Sequence, residues 1–279
     1  QTGWATTPVV EIDGIGAGAL ADGFRIAANS VEIRGLAITR FPADGIEVAS
    51  GAADTIIAQN HIGLDASGLI DRGNTARGID LGSGSGPTTV GGIDVADRNL
   101  ISGNGNDGII IWESNNNSIL NNNIGTDNTG NAPIANGADG VALGGISSGN
   151  LIGASGDTNV ISGNANDGVE NDATGINNAV YFNYIGIGAD GTTAVPNGRH
   201  GVVIYDGANN TWVYQNLIAN NTTTGVVIDG NGNAATTSNN IIGNYIGIDL
   251  SSNPRPNGVY GVHIFAGATG NVIGGTTAG

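Results

Sequence analysis

Carboxylates and an arginine recur at one position of a repeated sequence phrase, and they are the first residues of this chain suited to chemistry. The phrase is Gly, an apolar residue, a variable residue and usually a second apolar residue, and we call it the glycine phrase. Its variable position holds Arg25, Glu47 and Asp80 in three successive copies. Carboxylates beside a cation can transfer protons in catalysis, whereas the same trio on a surface forms a weak salt bridge. The sequence leaves both alternatives open.

A second group of titratable residues lies later in the chain. Glu170 is the variable residue of the glycine phrase that begins at Gly168, and Asp172 directly follows that phrase. Arg199 and His200 precede the phrase that begins at Gly201. The alternative is that all four are solvated loop residues. Glycoside hydrolysis needs two carboxylates at a set separation. The chain has only five Glu and no adjacent pair of Asp, so the sequence alone assigns no catalytic residue.

Four loops that follow an Ile-Gly dipeptide are candidates for calcium binding. Their acidic residues are Asp65, Asp127, Asp190 and Asp249. Calcium takes about six to eight oxygen ligands, of which one Asp with nearby Asn, Ser, Thr and backbone carbonyls supplies a part. The alternative is that each Asp caps its own turn through its side chain. No other metal and no organic cofactor is expected.

Aromatic residues recur at one strand end. Trp112, Tyr205 and Phe265 each follow the third position after the glycine of a glycine phrase. Exposed rings in such a row can stack on sugar rings, and they can equally cover the loops beside them. The first alternative predicts a glycan-binding surface.

The elements that position these residues follow from the repeat itself. Alternation places the two apolar positions of the phrase on one face and the variable position on the other. Among the eighteen inward positions only Asn171 is polar. A fixed period of this kind indicates stacked repeats. The nine copies begin at Gly23, Gly45, Gly78, Gly108, Gly140, Gly168, Gly201, Gly225 and Gly261.

Short Val and Ile runs interrupted by Gly, Asn, Asp and Ser indicate short strands joined by turns. Such strands must pair with their equivalents in the turns above and below, and recurrent Asn side chains are expected to form hydrogen-bonded ladders along the stack. We predict an all-β, single-stranded, right-handed parallel β-helix of about nine turns. Residues 1–22 are expected to form an N-terminal cap or first strand, and residues 23–279 the repeats.

Two further phrases carry a family resemblance. One is Asn-Val-Ile-Ser-Gly-Asn at 159–164, and the other is Asn-Tyr-Ile-Gly at 183–186 and 244–247. They resemble the repeats of the pectate-lyase-like superfamily of right-handed parallel β-helices, and most closely those of large secreted or surface-anchored bacterial proteins. The resemblance implies the fold, but not one activity, because the superfamily includes lyases, epimerases, hydrolases and adhesins.

Composition excludes several classes of partner. The net charge is −16 and the pI about 4.1, which argue against nucleic acid and anionic membrane surfaces. No apolar stretch is long enough for membrane insertion. The chain contains no Cys, Met or Lys, a composition that favours an extracellular or cell-surface location.

The leading functional prediction is non-enzymatic. Similarity between turns is spread evenly, without an irregular, charge-dense patch, so we expect a structural or adhesive module of a larger surface or matrix protein. Its expected partners are polysaccharide and further copies of itself, joined end to end as a filament. The alternatives are a polysaccharide lyase, epimerase or hydrolase acting along an outward strand face, with Arg25, Glu47 and Asp80 as its site, and a glycan-binding module.

Overall fold

The structure is a computed structural model that describes residue 8, residues 10–232 and residues 234–275. Its strands form three parallel sheets, each with nine strands, and the chain visits the three sheets in a fixed order. One visit to each sheet makes one turn, so the chain winds nine times. Part of the predicted cap, residues 1–7 and 9, lies outside the described residues.

We name the sheets A, B and C in the order in which each turn meets them. Sheet A consists of the strands Val10–Asp13, Leu36–Thr39, His61–Ile62, Leu100–Ile101, Asn123–Ile124, Val160–Ile161, Tyr184–Ile185, Leu217–Ile218 and Tyr245–Ile246. Sheet B consists of Phe24–Ile26, Ile46–Val48, Ile79–Leu81, Ile109–Trp112, Val141–Gly144, Val169–Asn171, Val202–Ile204, Thr224–Asp229 and Tyr260–Phe265. Sheet C consists of Glu32–Arg34, Thr55–Ala58, Thr88–Gly91, Ser118–Leu120, Leu151–Ile152, Ala179–Tyr181, Trp212–Tyr214, Asn240–Ile242 and Val272–Ile273. A short 3-10 helix, Val95–Asp97, lies between turns 3 and 4.

Sheet B contains the glycine phrases, in register from turn to turn. Ile109 pairs with Ile79 on one side and with Val141 on the other, and all three side chains are fully buried. The predicted aliphatic interior is therefore confirmed. Asn171, the one polar inward residue, donates a hydrogen bond from Nδ2 to Thr211 Oγ1 at 2.9 Å, which satisfies its amide inside the coil.

In eight of the nine phrases, all except the one at Gly261, close approach between turns requires the glycine. At Gly140, a Cβ atom would lie 2.6 Å from the carbonyl oxygen of Gly168 in the next turn, and it would also collide with Ile161. Because both neighbours are buried parts of the stack, any side chain here must push adjacent turns apart.

Asparagine ladders run along the stack, as the sequence predicts. In one ladder, the Asn164 amide nitrogen donates to Asn197 Oδ1 at 3.1 Å, and Asn164 Oδ1 accepts from the Asn136 amide at 2.9 Å. The same amide nitrogen reaches the carbonyl oxygen of Ile124. These ladders satisfy buried polar groups at the corners between sheets, and this one contains Asn74, Asn104, Asn136, Asn164, Asn197, Asn221 and Asn257.

The outer face of sheet B is less solvated than the sequence suggests. The variable positions Ile110, Ala142, Val203 and Val227 are 9%, 6%, 8% and 4% exposed. Side chains on adjacent turns stand only ~4.8 Å apart, so they cover one another even on the outer surface. Charged residues in this column therefore lie in a partly dehydrated setting.

Candidate active site on the outer face of sheet B

A column of aspartates stands immediately before the glycine phrases. Asp107, Asp139 and Asp167 occupy this position on turns 4, 5 and 6. Each carboxylate accepts a hydrogen bond from the backbone N–H of the equivalent residue one turn on. These bonds are 3.1 Å from Asp139 N to Asp107 Oδ1, 2.7 Å from Asp167 N to Asp139 Oδ1, and 2.7 Å from His200 N to Asp167 Oδ1. The fold itself thus lines up carboxylates along the edge of sheet B.

Glu170 joins this column to form an acidic cluster. One carboxylate oxygen each of Asp139, Asp167 and Glu170 lies within 4.8 Å of the others. Burial, followed by the charge of Glu170, raises the pKa of Asp139 to about 8. Burial, followed by the charge of Asp172, raises the pKa of Glu170 to about 7. The cluster therefore holds protons near neutral pH.

Glu170 and Asp172 both project outward at the turn-6 strand of sheet B. Asp172 directly follows this strand, and its N–H donates to the carbonyl oxygen of Leu143 on the previous turn at 3.0 Å. Both side chains are partly exposed, whereas Asp139 and Asp167 are buried. Glu170 and Asp172 are thus the carboxylates of this region that a ligand can touch.

Turn 7 supplies the groups that flank these carboxylates. The Tyr205 hydroxyl donates to Glu170 Oε1 at 3.3 Å. Arg199 Nη1 lies 3.3 Å from Asp167 Oδ2, and His200 Nδ1 lies 2.7 Å from the Thr223 hydroxyl. Burial lowers the pKa of His200, which favours its neutral form. The second group of sequence candidates, Glu170, Asp172, Arg199 and His200, therefore lies together in one region.

The acidic cluster also brings together oxygen atoms of the kind that can bind a metal ion. Its three carboxylates are hard oxygen donors, as calcium prefers. Both oxygens of Asp167 are already engaged, however, Oδ1 with the His200 N–H and Oδ2 with Arg199. The set therefore fits calcium poorly and fits proton transfer better. The two uses exclude each other, because a metal needs ionised carboxylates and an acid catalyst needs a protonated one.

The raised pKa of Asp139 predicts a stability that depends on pH. In the folded state the Asp139 carboxyl stays protonated up to about pH 8, whereas its reference pKa is 3.8. Its contribution to stability is therefore fully present only below pH 3.8. This stability is lost as the pH rises through about 8. Asp139→Asn keeps the oxygen that accepts the Asp167 N–H and removes the charge, so we expect its melting temperature to fall less at alkaline pH.

Thermal melts followed by circular dichroism across this pH range test the prediction. The matched control is Asp94→Asn, which neutralises an exposed aspartate of the 3-10 helix boundary and should leave the pH slope unchanged. Identical slopes for wild type and Asp139→Asn would show that this carboxyl is not protonated in the fold.

The first three sequence candidates, Arg25, Glu47 and Asp80, belong to two separate ion pairs. Arg25 Nε lies 2.7 Å from Glu47 Oε2, and Glu47 stands beside Asp80 in the sheet register. Asp80 forms its ion pair with Arg77, the Nη1 and Oδ2 atoms being 3.2 Å apart. Burial raises the pKa of Asp80 to about 6. Arg25 and Glu47 thus form a surface salt bridge, and Asp80 belongs to a separate cavity.

The three predicted aromatic residues share one column of sheet B, but they are not neighbours. Trp112 pairs with Gly144, and Asp172 and then Tyr205 follow on the next two turns. Phe265 lies on turn 9, where its ring stacks on His263 at 4.4 Å between centroids. Trp112 and Tyr205 therefore stand on either side of the Glu170–Asp172 pair, while Phe265 lies apart from it.

The four predicted calcium ligands each serve their own loop. Asp127 Oδ1 accepts hydrogen bonds from the Thr129 hydroxyl and from the N–H of Asn131. The same arrangement recurs in the other three loops, where the carboxylates of Asp65, Asp190 and Asp249 accept hydrogen bonds from backbone N–H groups two to five residues on. The observed role is turn capping, and calcium binding at these loops stays a prediction.

Sequence reasoning missed the aspartate column. Its signal is the Asp-Gly dipeptide at the start of the glycine phrase, seen at 22–23, 44–45, 107–108, 139–140 and 167–168. In isolation an Asp-Gly pair is typical of a turn. Only its recurrence at one phase of the repeat places these carboxylates side by side.

No family model matches this chain, and no curated protein matches its sequence. The solved structures that match this chain include two with a similar fold. A double mutant of the periplasmic alginate epimerase AlgG has a TM-score of 0.51 and 17% identity, with 96% of this chain and 55% of that chain covered. The catalytic unit of a thermostable α-1,3-glucanase from Streptomyces thermodiastaticus strain HF3-3 has a TM-score of 0.50 and 16% identity, with 90% and 49% covered.

This chain is a right-handed parallel β-helix. It spans about half the length of the solved structures it matches, and at these identities the likeness concerns the fold. The comparisons contradict the prediction of a non-enzymatic structural or adhesive module, because the proteins that share the fold are carbohydrate-active enzymes. They agree better with the alternative of a polysaccharide-acting enzyme.

Within the described residues, no helix has the length and apolar character that crossing a membrane requires.

Proposed function

We propose that this chain carries the active site of a glycoside hydrolase that cleaves a neutral polysaccharide on the outer face of sheet B. The observation that carries the proposal is a pair of partly exposed carboxylates, Glu170 on the turn-6 strand and Asp172 directly after it, with Trp112 and Tyr205 on either side. The enzymatic character of the two proteins that share the fold supports it.

The pair suits an inverting hydrolysis. An inverting hydrolase needs two carboxyl groups about 6.5–9.5 Å apart, one as the acid and one as the base. Glu170 and Asp172 are the two partly exposed carboxylates of this region that are available for these roles. Glu170, with a pKa of about 7, is the general acid and gives its proton to the glycosidic oxygen as the bond to the anomeric carbon breaks. Asp172 is the general base, taking a proton from the water whose oxygen bonds to that carbon.

Neighbouring groups prepare Glu170 for this role. Burial and the negative charges of Asp172 and Asp167 all favour its protonated form. The Tyr205 hydroxyl fixes the position of one carboxylate oxygen, at 3.3 Å. Tyr205 is therefore a positioning residue for the acid, and its ring continues the surface on which a sugar can lie.

The charge of the region decides between neutral and acidic substrates. The whole chain carries a net charge of −16, and even with Asp139 and Glu170 protonated the region keeps the carboxylates of Asp107, Asp167 and Asp172. Such a field repels a polyuronate such as alginate and leaves a neutral glycan unaffected. We therefore place hydrolysis of a neutral glycan before epimerisation or elimination on a uronic acid, and we expect the enzyme to act outside the cell, where such polymers are found.

A substrate panel tests the proposed function. The purified protein is incubated with laminarin, dextran, amylose, xylan and an α-1,3-glucan, and with alginate and polygalacturonate, each with and without EDTA. We expect new reducing ends from at least one neutral glycan, none from the two polyuronates, and no effect of EDTA. Action on alginate alone, or unsaturated products, would overturn the assignment in favour of an epimerase or lyase.

A further inference from the structure

A cavity lies on the outer face of sheet B at turns 3 and 4, on the far side of Trp112 from the Glu170–Asp172 pair. Its volume is about 390 Å³, and both charged and aromatic side chains line it. The lining residues are Arg77, Asp80, Gly82, Ser83, Ile110 and Trp112.

Trp112 is held in place although much of it is exposed. Its side chain is 48% exposed, a high fraction for a tryptophan on a sheet surface. The ring lies over Gly144 on the next turn, where a Cβ atom would come within 2.5 Å of ring atoms Cε3 and Cζ3. On the previous turn, Gly82 places no side chain beside the ring, and a Cβ there would lie 3.3 Å from the carbonyl oxygen of Val48. The ring of Trp112 thus packs on Gly144, and the absence of a side chain at Gly82 leaves its other side accessible.

The polar part of the cavity combines a donor and an acceptor. Arg77 Nη1 and Asp80 Oδ2 are 3.2 Å apart, and Arg77 Nε lies 3.8 Å from Asp107 Oδ2. Both side chains are partly exposed, so neither is sealed from a ligand. An arginine and a carboxylate held together can donate to one sugar hydroxyl and accept from its neighbour. Apolar ring surface beside such a pair is the combination that a pyranose ring requires.

We propose that this cavity is a distal sugar-binding subsite, in which a sugar ring of a neutral glycan stacks on Trp112 and hydrogen-bonds to Arg77 and Asp80. The inference rests on the proposed function, because it takes the substrate to be a polymer cleaved at Glu170. It adds the direction in which the glycan lies, along the axis of the coil and across the strands.

The register gives the distance between the subsite and the cleavage point. Asp80 pairs with Ile110, Ile110 with Ala142, and Ala142 with Glu170. Three steps of ~4.8 Å separate Asp80 from Glu170 by roughly 14 Å. One sugar ring cannot contact both sites, so the subsite serves only substrates of several units.

Chain-length dependence is the expected consequence. Trp112→Ala should raise KM for a long oligosaccharide by roughly two- to tenfold, the range expected for loss of a ring-stacking contact. The rise in KM should be larger for a long oligosaccharide than for the shortest one that the enzyme cleaves. Asp80→Asn should act in the same direction. The matched control is Trp212→Phe, which alters a partly exposed tryptophan of sheet C and should behave as wild type.

Binding is measured separately from turnover to keep the two proposals distinguishable. Calorimetry with laminari-, malto- and nigero-hexasaccharides is carried out on Glu170→Gln with and without Trp112→Ala. Weaker binding of a hexasaccharide in the double variant supports the subsite, even if wild type cleaves none of these sugars and the hydrolase proposal fails. Equal binding in both variants, or no binding of any hexasaccharide, overturns the subsite, even if wild type is an active hydrolase.

Discussion

Glu170→Gln is expected to lower kcat on the neutral glycan by about 10²–10⁴-fold, the usual contribution of a general acid. Gln keeps the shape of the side chain and can still accept the Tyr205 hydrogen bond. It cannot give a proton to the glycosidic oxygen. Substrate affinity should change little, because the contacts that hold the sugar rings remain.

The pH profile identifies the role of this carboxyl more closely. With a pKa of about 7 for Glu170, wild-type activity should fall as the pH rises through that value, because the acid is then ionised. The residual activity of Glu170→Gln should lack this alkaline limb. Initial rates from reducing-end assays across the pH range provide both measurements.

Glu47→Gln is the matched control for this experiment. Glu47 occupies the same column of sheet B, on turn 2, and pairs with Arg25 at the surface. We expect this variant to keep wild-type activity. Loss of activity in Glu47→Gln together with full activity in Glu170→Gln would move the site to the trio Arg25, Glu47 and Asp80.

The second large effect is expected from the asparagine ladder. Asn164→Ala removes the acceptor of the Asn136 amide and the donor to Asn197 and Ile124, all inside the coil. Three buried hydrogen bonds are lost, each contributing about 0.5–1.5 kcal/mol, while the groups they joined keep one other partner each. We therefore expect the free energy of unfolding to fall by about 3 kcal/mol. Urea unfolding followed by circular dichroism measures the change.

Asn106→Ala provides the comparison, in the equivalent loop two turns earlier. Asn106 is exposed, and its backbone N–H, which the substitution keeps, donates to the carbonyl oxygen of Ala76. This variant should unfold at the wild-type urea concentration. If Asn164→Ala unfolded at the same urea concentration as Asn106→Ala, the ladder would not contribute to the stability of the fold.

Much of the fold was predictable because a repeated period fixes which side chains share a column. The alternation at Ile79 and Val141 determines their direction, and stacking then determines their neighbours. The ladders followed from Asn recurring at one phase of the repeat. In each case a local rule, applied once per turn, accounts for the long-range contact.

The candidate site was harder to predict because each turn contributes only one or two of its groups. Asp139 and Asp167 precede their strands and resemble ordinary turn residues, and Asp172 follows its strand. The distances between their carboxyl groups depend on the side-chain conformations on adjacent turns, which the repeat pattern does not specify. The even similarity of the turns thus concealed a charged patch, and the prediction of a non-enzymatic module followed from overlooking it.

The proposed hydrolysis requires Glu170 and Asp172 to face a sugar chain that lies along sheet B. The most direct test is a crystal structure of Glu170→Gln soaked with the neutral oligosaccharide that wild type cleaves fastest. We predict sugar rings extending from Trp112 past Tyr205, with a glycosidic oxygen within hydrogen-bonding distance of the substituted side chain at position 170. Sugar bound only on sheet A or sheet C, with this face empty, would contradict the account.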